Sequence, residues 1–478
     1  MLIWFVVCYI IVSVGIGLYA SRRVKNSTDY VVAGHHLPLP FIVATVFATW
    51  FGSETVLGIP AKFMNEGLKG VVADPFGSSM CLILVGLFFA RPLYRMKLLT
   101  IGDYYRARYD RPVELSTSIC IVLSYLGWVS AQITALGLVF SVLTNGALAP
   151  WQGMVLGTAI VLLYTLAGGM FSVAFTDLFQ MCVILLGMLY IAFVVSGIAG
   201  GADVVIAHAQ AAGKFEFWPA LQPRDVIAFV AAWITMGFGS IPQQDVFQRV
   251  SAAKDEKTAG RGSVIGGCIY FIFAFIPMFL AYSAITIDPA MVEKHISTDS
   301  QYILPQLILN HTPFIAQVIF FGALLSAIMS CSSATLLAPS AMFAENILRP
   351  FLPRLTDRQF LRMLRFVVFL FACGVLAFAL VSNSTIYGMV ESAYKVTLVA
   401  AFTPLAFGLY WKRATTQGAM GAITLGLATW IACELIAPDG FLPPQFAGWL
   451  ASMLGMIAGS LLPQWYGRGR REAHAAVA

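Results

Sequence analysis

The stretch FATWFGSETVLGIPAKF, residues 47–63, sets one carboxylate, Glu54, inside an otherwise apolar run. A charge at bilayer depth costs roughly 2.5–3.5 kcal/mol even on lenient scales, so an intramembrane acid is a functional candidate. Gly52, Ser53, Gly58 and Pro60 surround it. Glycine and proline weaken a helix there and free backbone carbonyls next to the acid. A carboxylate beside bare carbonyls is chemistry for a cation, either an amine on a solute or an inorganic ion. Two plainer roles stand beside this one: capping the half-helix that follows, or pairing with Lys395 across a bundle. A second interruption, GFGSIPQQD at residues 237–245, brings Gly237, Gly239, Ser240 and Pro242 together with the amides of Gln243 and Gln244. Glu391 and Lys395 are spaced four apart, which suits an ion pair within one helix. Ser326, Ser330 and Ser333 recur at helical spacing and share a face, as ion ligands or as small residues for close helix packing.

These groups need a membrane scaffold to hold them. The 478 residues are 59% apolar and 11% charged, with a mean hydropathy of +0.82, which marks an all-α polytopic membrane protein. Runs of roughly 20 apolar residues divide the chain into about thirteen spans. They are 2–20, 39–64, 70–94, 114–145, 150–167, 171–199, 225–249, 263–287, 312–338, 363–382, 385–411, 417–437 and 445–463. Positive residues are retained on the cytoplasmic side. With the N-terminus outside and the C-terminus inside, 23 of the 29 Lys and Arg fall in inner segments and five in outer loops. The first span lacks a basic region before its apolar core and is read as retained, not as a signal peptide. The setting is the plasma (inner) membrane.

Several functions are set aside. The eight cysteines lie singly in apolar runs and read as buried small hydrophobes, and no HExxH, GxSxG or clustered His site suggests an enzyme or a metal other than a coupling ion. Nearly all of the net charge of +6 can be assigned to loops facing one side of the membrane, so it says little about nucleic acid; the partners expected are a small-molecule solute and the lipid bilayer, not nucleic acid. No repeated selectivity element suggests a channel, and the chain ends soon after its last span, without room for a kinase. A monomer is compatible with the sequence, which does not fix the oligomeric state.

Spans two and seven are both interrupted near mid-depth, and five spans apart they run in opposite directions. That pattern points to an inverted-repeat transporter with its site at the midplane. It divides the chain into an extra N-terminal helix and loop (1–38), a first five-helix repeat (39–199), an extracellular loop (200–224), a second repeat (225–411), and two C-terminal helices with a basic cytoplasmic tail (412–478).

The motifs FATWFGSETVLGIP, LFFARPLYRMKLLTIGDYYRARYDRP, LYTLAGGMFSVAFTDLFQ, GSIPQQDVFQRV and GALLSAIMSCSSATLLAPSAMFAENI together resemble the sodium:solute symporter family, closest in look to the branch containing high-affinity choline transporters. The resemblance covers about residues 30–411 and implies a LeuT-type 5+5 inverted repeat core. It also implies sodium-coupled symport of a small polar organic solute such as an amine, quaternary ammonium, betaine or amino acid. The alternatives are a proton-coupled or organic-acid symporter of the same fold, or a non-transporting membrane sensor.

Matched motif to motif, the resemblance assigns sodium to the carbonyls of Ala48, Phe51 and Ala327 and to the side chains of Ser330 and Cys331. The family usually has Ser or Thr at the last position, and a thiol is a poor ligand for a hard ion. Thr176 and Asp177 would line the inward ion exit, although Asp177 also suits the N-terminal dipole of its own span. Trp50 and Trp128 match aromatic positions that the choline branch uses around a quaternary ammonium. Ser53, Glu54, Gln132, Gln243 and Gln244 complete the expected solute pocket. Gln243 stands where that branch has a further tryptophan, which makes the pocket more polar.

Overall fold

The computed structural model describes residues 2–296, 299–382 and 384–465. Its regular structure is helical, and among the described residues strand pairing is limited to one bridge between Leu37 and Ala253. The first helix, α1 (Leu2–Ser21), buries Val6, Ser13, Gly17 and Ala20. This narrow stripe of mostly small residues lets it lie close to its neighbour: a methyl on Gly17 would come within 3.0 Å of Tyr164.

The second span is built in pieces. Helix α2 (Leu39–Trp50) stops at Phe51, whose φ of −85° and ψ of 71° leave the helical region. A π-helical turn, Glu54–Gly58, then leads into α3 (Ile59–Glu66). Gly67, at φ 69°, reverses the chain hard against the carbonyl of Lys214, a conformation and a contact that suit glycine. Helix α4 (Ser78–Leu84) continues the third span, and α5 (Arg111–Leu143) starts with Pro112 in its first turn.

Helix α6 (Pro150–Ile198) is redirected at Gly169, φ 50° and ψ −136°, where a Cβ would lie 2.3 Å from Tyr30 O. Helices α7 (Pro223–Gly239) and α8 (Gln244–Ala252) meet at a 46° bend. Asp255 caps α9 (Glu256–Phe273) by accepting the Thr258 N–H at 2.7 Å. Helix α10 (Phe314–Met342) is buried at every residue from Ala323 to Met342, as a helix apolar all round must be when it forms the centre of a bundle. Helix α11 (Ile386–Thr397) packs beside α5.

Among the described residues nine helices are long and apolar enough to cross a membrane, or ten if α7 and α8 form one bent span. That differs from the expected thirteen because the helical runs Glu54–Arg95 and Pro150–Ile198 each join stretches that hydropathy separates, with α2 alone too short to count, and because the helix Pro444–Leu461, in the expected span 445–463, is not among those long and apolar enough. The cysteines also depart from expectation. Cys81, Cys120 and Cys331 are buried, whereas Cys8, Cys182, Cys268 and Cys373 lie on the surface of the bundle, where lipid is as favourable as a core for a small apolar side chain. The basic tail expected after residue 465 lies outside the described residues.

Candidate functional site

The break after α2 assembles the site. The last bond of that helix runs from Phe51 N–H to Phe47 O at 2.9 Å, and the Ser53 N–H turns to Gln132 Oε1 at 2.9 Å. The amide of Gln132 then donates to Glu54 Oε2 at 2.6 Å, and the indole N–H of Trp128 donates to Glu54 Oε1 at 3.1 Å. Trp128 and Gln132 are four apart on α5, so one helical face meets both carboxylate oxygens. Glu54 is 2% exposed, and no basic side chain forms an ion pair with it among the described residues. The pairing of Glu54 with Lys395 is therefore not found.

The expected Glu391–Lys395 pair is not found either. Both residues stay partly exposed, so burial gives them no reason to pair. Between them Tyr394 turns inward, a residue that sequence spacing did not single out. Its ring lies 6.0 Å from Trp50, stacked, and 5.5 Å from Trp128, while the two tryptophans meet edge-on at 5.6 Å. Tyr394 is fully buried with its hydroxyl unpartnered. Three aromatic rings thus form one cluster, joined to the carboxylate through the Trp128 N–H.

Ala48, Phe51, Ala327, Ser330 and Cys331 are all buried. The break sits directly against α10: a methyl on Gly52 would come within 2.8 Å of Cys331 Sγ and 2.6 Å of Glu54 Oε2. Ser330 Oγ donates to Asp177 Oδ1 at 2.5 Å, and Thr45 Oγ1, missed in the sequence, donates to Asp177 Oδ2 at 2.5 Å. Thr176 turns its hydroxyl back to Ser172 O. The donor set around α2, α6 and α10 is thus rich in hard oxygen, the kind a small alkali cation prefers, with Cys331 as its one soft member.

The second break is tied differently. The amide of Gln243 donates to Ser124 Oγ at 3.0 Å and reaches Thr397 Oγ1 at 3.4 Å, and that hydroxyl donates to Gly239 O. Gln244 accepts the Ile101 N–H at 2.8 Å, so its carbonyl serves the helix Ile101–Arg108, and the structure does not group it with Glu54. Two further buried groups escaped the sequence reading. Asp245 accepts a hydrogen bond from the Tyr125 hydroxyl, and Arg249 donates to Thr49 Oγ1 at 2.9 Å. Their signal was slight, two charges four residues apart in the motif GSIPQQDVFQRV. They tie α8 to α5 and α2.

A cavity of about 440 Å³, lined by Gly58, Ala61, Lys62, Asn65, Gln301, Tyr387 and Glu391 among others, opens four residues along the chain from Glu54.

Comparison with known proteins places the chain in a family. The pattern of the sodium:solute symporter family matches residues 30–426. The human high affinity choline transporter 1 is 27% identical over 448 residues, covering 89% of this chain and 75% of that one. The high-affinity proline transporter of Bacillus subtilis (strain 168) is 25% identical over 474 residues, covering 94% and 95%. Among solved structures, a substrate-bound, outward-open sodium-coupled sialic acid symporter aligns with a TM-score of 0.79 at 22% identity, over 98% of this chain and 99% of that one. The transporter MhsT in complex with L-phenylalanine aligns at 0.59 and 14% identity, over 88% and 98%. At these identities the structures speak for the fold, a LeuT-type helical bundle. The chain belongs to the sodium:solute symporter family, multi-pass membrane transporters for which sodium is the coupling ion.

Proposed function

We propose that the protein imports a small polar solute bearing a cationic group, together with sodium, by alternating access. The observation that carries this reading is Glu54, a buried carboxylate at a helix break held by two neutral donors and by no cation. An acid so placed favours a positive partner, and desolvated aromatic faces such as Trp50, Trp128 and Tyr394 add roughly 2 kcal/mol per good cation–π contact. A choline transporter and a proline transporter among the relatives span the classes in question: quaternary ammonium, betaine, amine or amino acid. Gln243, bonded to Ser124 and Thr397, supplies amide chemistry at the second break, which favours a zwitterion over a bare quaternary ammonium.

Sodium would sit between the carbonyls of Ala48, Phe51 and Ala327 and the hydroxyl of Ser330, with Cys331 as a weak neighbour. Asp177, already bonded to Ser330, would receive the ion on its inward path, with Thr176 alongside. Each sodium entering down a membrane potential of 100 mV contributes about 2.3 kcal/mol, enough for one ion to drive accumulation. In this reading the N-terminus is outside and the C-terminus cytoplasmic. Residues 39–199 and 225–411 are the two inverted repeats, and the 440 Å³ cavity is the extracellular vestibule.

The test is a thermal-shift screen of the purified protein against amines, betaines, amino acids and organic acids, with and without sodium, since a bound ligand raises apparent stability by mass action. Hits are then followed by uptake into proteoliposomes. The reading expects stabilisation by cationic or zwitterionic solutes that strengthens with sodium, and uptake driven by a sodium gradient. Preference for organic acids, or uptake driven by protons and indifferent to sodium, would overturn it.

A further inference from the structure

Glu391, unpaired with Lys395, lines the cavity of about 440 Å³ together with Gly58 and Thr134. Each of these three residues lies close along its own element to the Glu54 cluster. Gly58 follows Glu54 by four residues, Thr134 on α5 follows Gln132 by two, and Glu391 on α11 precedes Tyr394 by three. At about 1.5 Å of rise per residue, the cavity therefore ends roughly one helical turn from the carboxylate proposed to hold the solute. Its charge is unbalanced. Lys62, the cationic side chain that lines it, is matched by Glu66 at 2.5 Å. Glu391 makes no ion pair among the described residues, and Asp299, the other lining acid, accepts the neutral N–H groups of Gln301 at 3.1 and 2.9 Å.

We infer that this cavity is a binding site in its own right, where Glu391 takes up the ammonium group of the solute before Glu54 does. A volume of about 440 Å³ falls within the roughly 300–1,000 Å³ of small-molecule pockets. Two acids without an opposing charge make it attractive to cations, and a cleft lined by one sign of charge raises their local concentration. Tyr387 supplies an aromatic wall, and Lys62 Nζ stands 5.9 Å from the centre of its ring, so that face already carries one ammonium group. An organic ammonium gains from both the carboxylate and the ring, whereas a small inorganic cation needs several hard oxygens converging on one point. Thr134 Oγ1, buried without a hydrogen-bond partner, adds a hydroxyl at the Glu54 end. The two acids then act in series. Glu391 is partly exposed and holds a cation weakly and reversibly, while Glu54 is buried and holds it more tightly.

This inference rests on the reading of Glu54 as the solute's acid, and the experiment separates the two. Tetramethylammonium titrated calorimetrically into the purified full-length protein, at constant ionic strength, should reveal two sites. Glu54→Gln should remove the tighter and leave the weaker. Adding Glu391→Gln should weaken the remaining site by about fivefold or more, an effect that Glu391→Asp should largely avoid. A single site that Glu54→Gln abolishes would overturn the site at Glu391 and leave the Glu54 reading standing. A weaker site indifferent to Glu391→Gln, or displaced by sodium at constant ionic strength, would overturn it as well. No binding by the wild type would remove both readings. If Glu54→Gln does not fold, Glu391→Gln alone decides: loss of the weaker of two sites supports the inference, and its unchanged survival overturns it.

Discussion

Ser330 on α10 donates a 2.5 Å hydrogen bond to Asp177 on α6, across 153 residues of chain, while Thr45 on α2 holds the other carboxylate oxygen. One acid therefore joins the interrupted span to the two helices that face it. A hydroxyl committed to a carboxylate still has lone pairs free for a cation, and the negative charge behind it strengthens the oxygen as a ligand.

Asp177→Asn should raise the sodium concentration for half-maximal uptake by about ten- to a hundredfold, the equivalent of one charge-assisted contact. Thr45→Val, which keeps the carboxylate and the Ser330 bond, should shift it less than about tenfold. A sodium-activation curve at saturating solute checks both. A larger effect from Thr45→Val than from Asp177→Asn would mean that the hydroxyl, not the acid, is the ion's partner.

Glu54→Gln keeps the size and hydrogen-bonding reach of the side chain but removes its charge. Uptake of cationic solutes should fall by about ten- to a hundredfold through the solute KM, while any neutral analogue falls much less. Trp128→Phe keeps an aromatic face but removes the N–H that Glu54 Oε1 accepts, and it should give a smaller loss in the same direction. Competition assays with a charged and an uncharged analogue distinguish the cases. Equal losses for both would rule out charge pairing.

What could be read from the chain follows from contrast. Glu54 stood out because it is charged among apolar residues, and the break stood out because Gly52, Ser53, Gly58 and Pro60 cluster. Tyr394, Thr45 and Thr49 gave no such contrast, since they are ordinary residues of helices and acquire a role only through partners distant in sequence. Asp177 and Ser330 were both named for the ion path, but nothing in their spacing revealed that they touch. Glu391 and Lys395 misled for the opposite reason: their spacing permits an ion pair, and only their partial exposure shows that none is needed. Gln244 misled by company, because neighbouring Gln243 and Gln244 sit on a helix start, where successive side chains diverge.

Acid should loosen two loop contacts of the fold. Lys69 donates to Glu216 at 2.5 Å and, by that hydrogen bond and then its charge, holds the Glu216 carboxyl below its ordinary value. Asp288 is held below its own by the Met291 N–H and then by His311. Both values are depressed in the folded state, so the stability they contribute is complete above the ordinary carboxylate range and is lost as pH falls through the depressed values, below about pH 4. Glu216 is exposed and Asp288 partly so, which keeps the effect small and salt-sensitive. The melting temperature, followed from neutral pH downward, should drop in that window, and Glu216→Gln should flatten part of the drop. An equal drop in wild type and variant would show that the Lys69 contact contributes nothing.

Gly52 and Cys331 give the most direct test of the junction between the break and α10. Gly52→Ala would place a methyl 2.6 Å from Glu54 Oε2 and within 3.0 Å of Cys331, and α10 is buried on all sides there, so the Glu54 carboxylate must give way. Overpacking of this kind destabilises by about 1–3 kcal/mol, and the displaced carboxylate should lose solute affinity as well. Cys331→Ser acts the other way. It exchanges a soft thiol for a hard hydroxyl of smaller size at the same point, so sodium affinity should rise while solute KM at saturating sodium stays near wild type. If the serine variant shows no change in sodium dependence, the side chain at 331 is not a ligand, and the ion is held by Ser330 and the backbone carbonyls alone. The pair of variants thus separates crowding at the break from ligand chemistry, because only the first should lower thermal stability and only the second should move the sodium curve leftward.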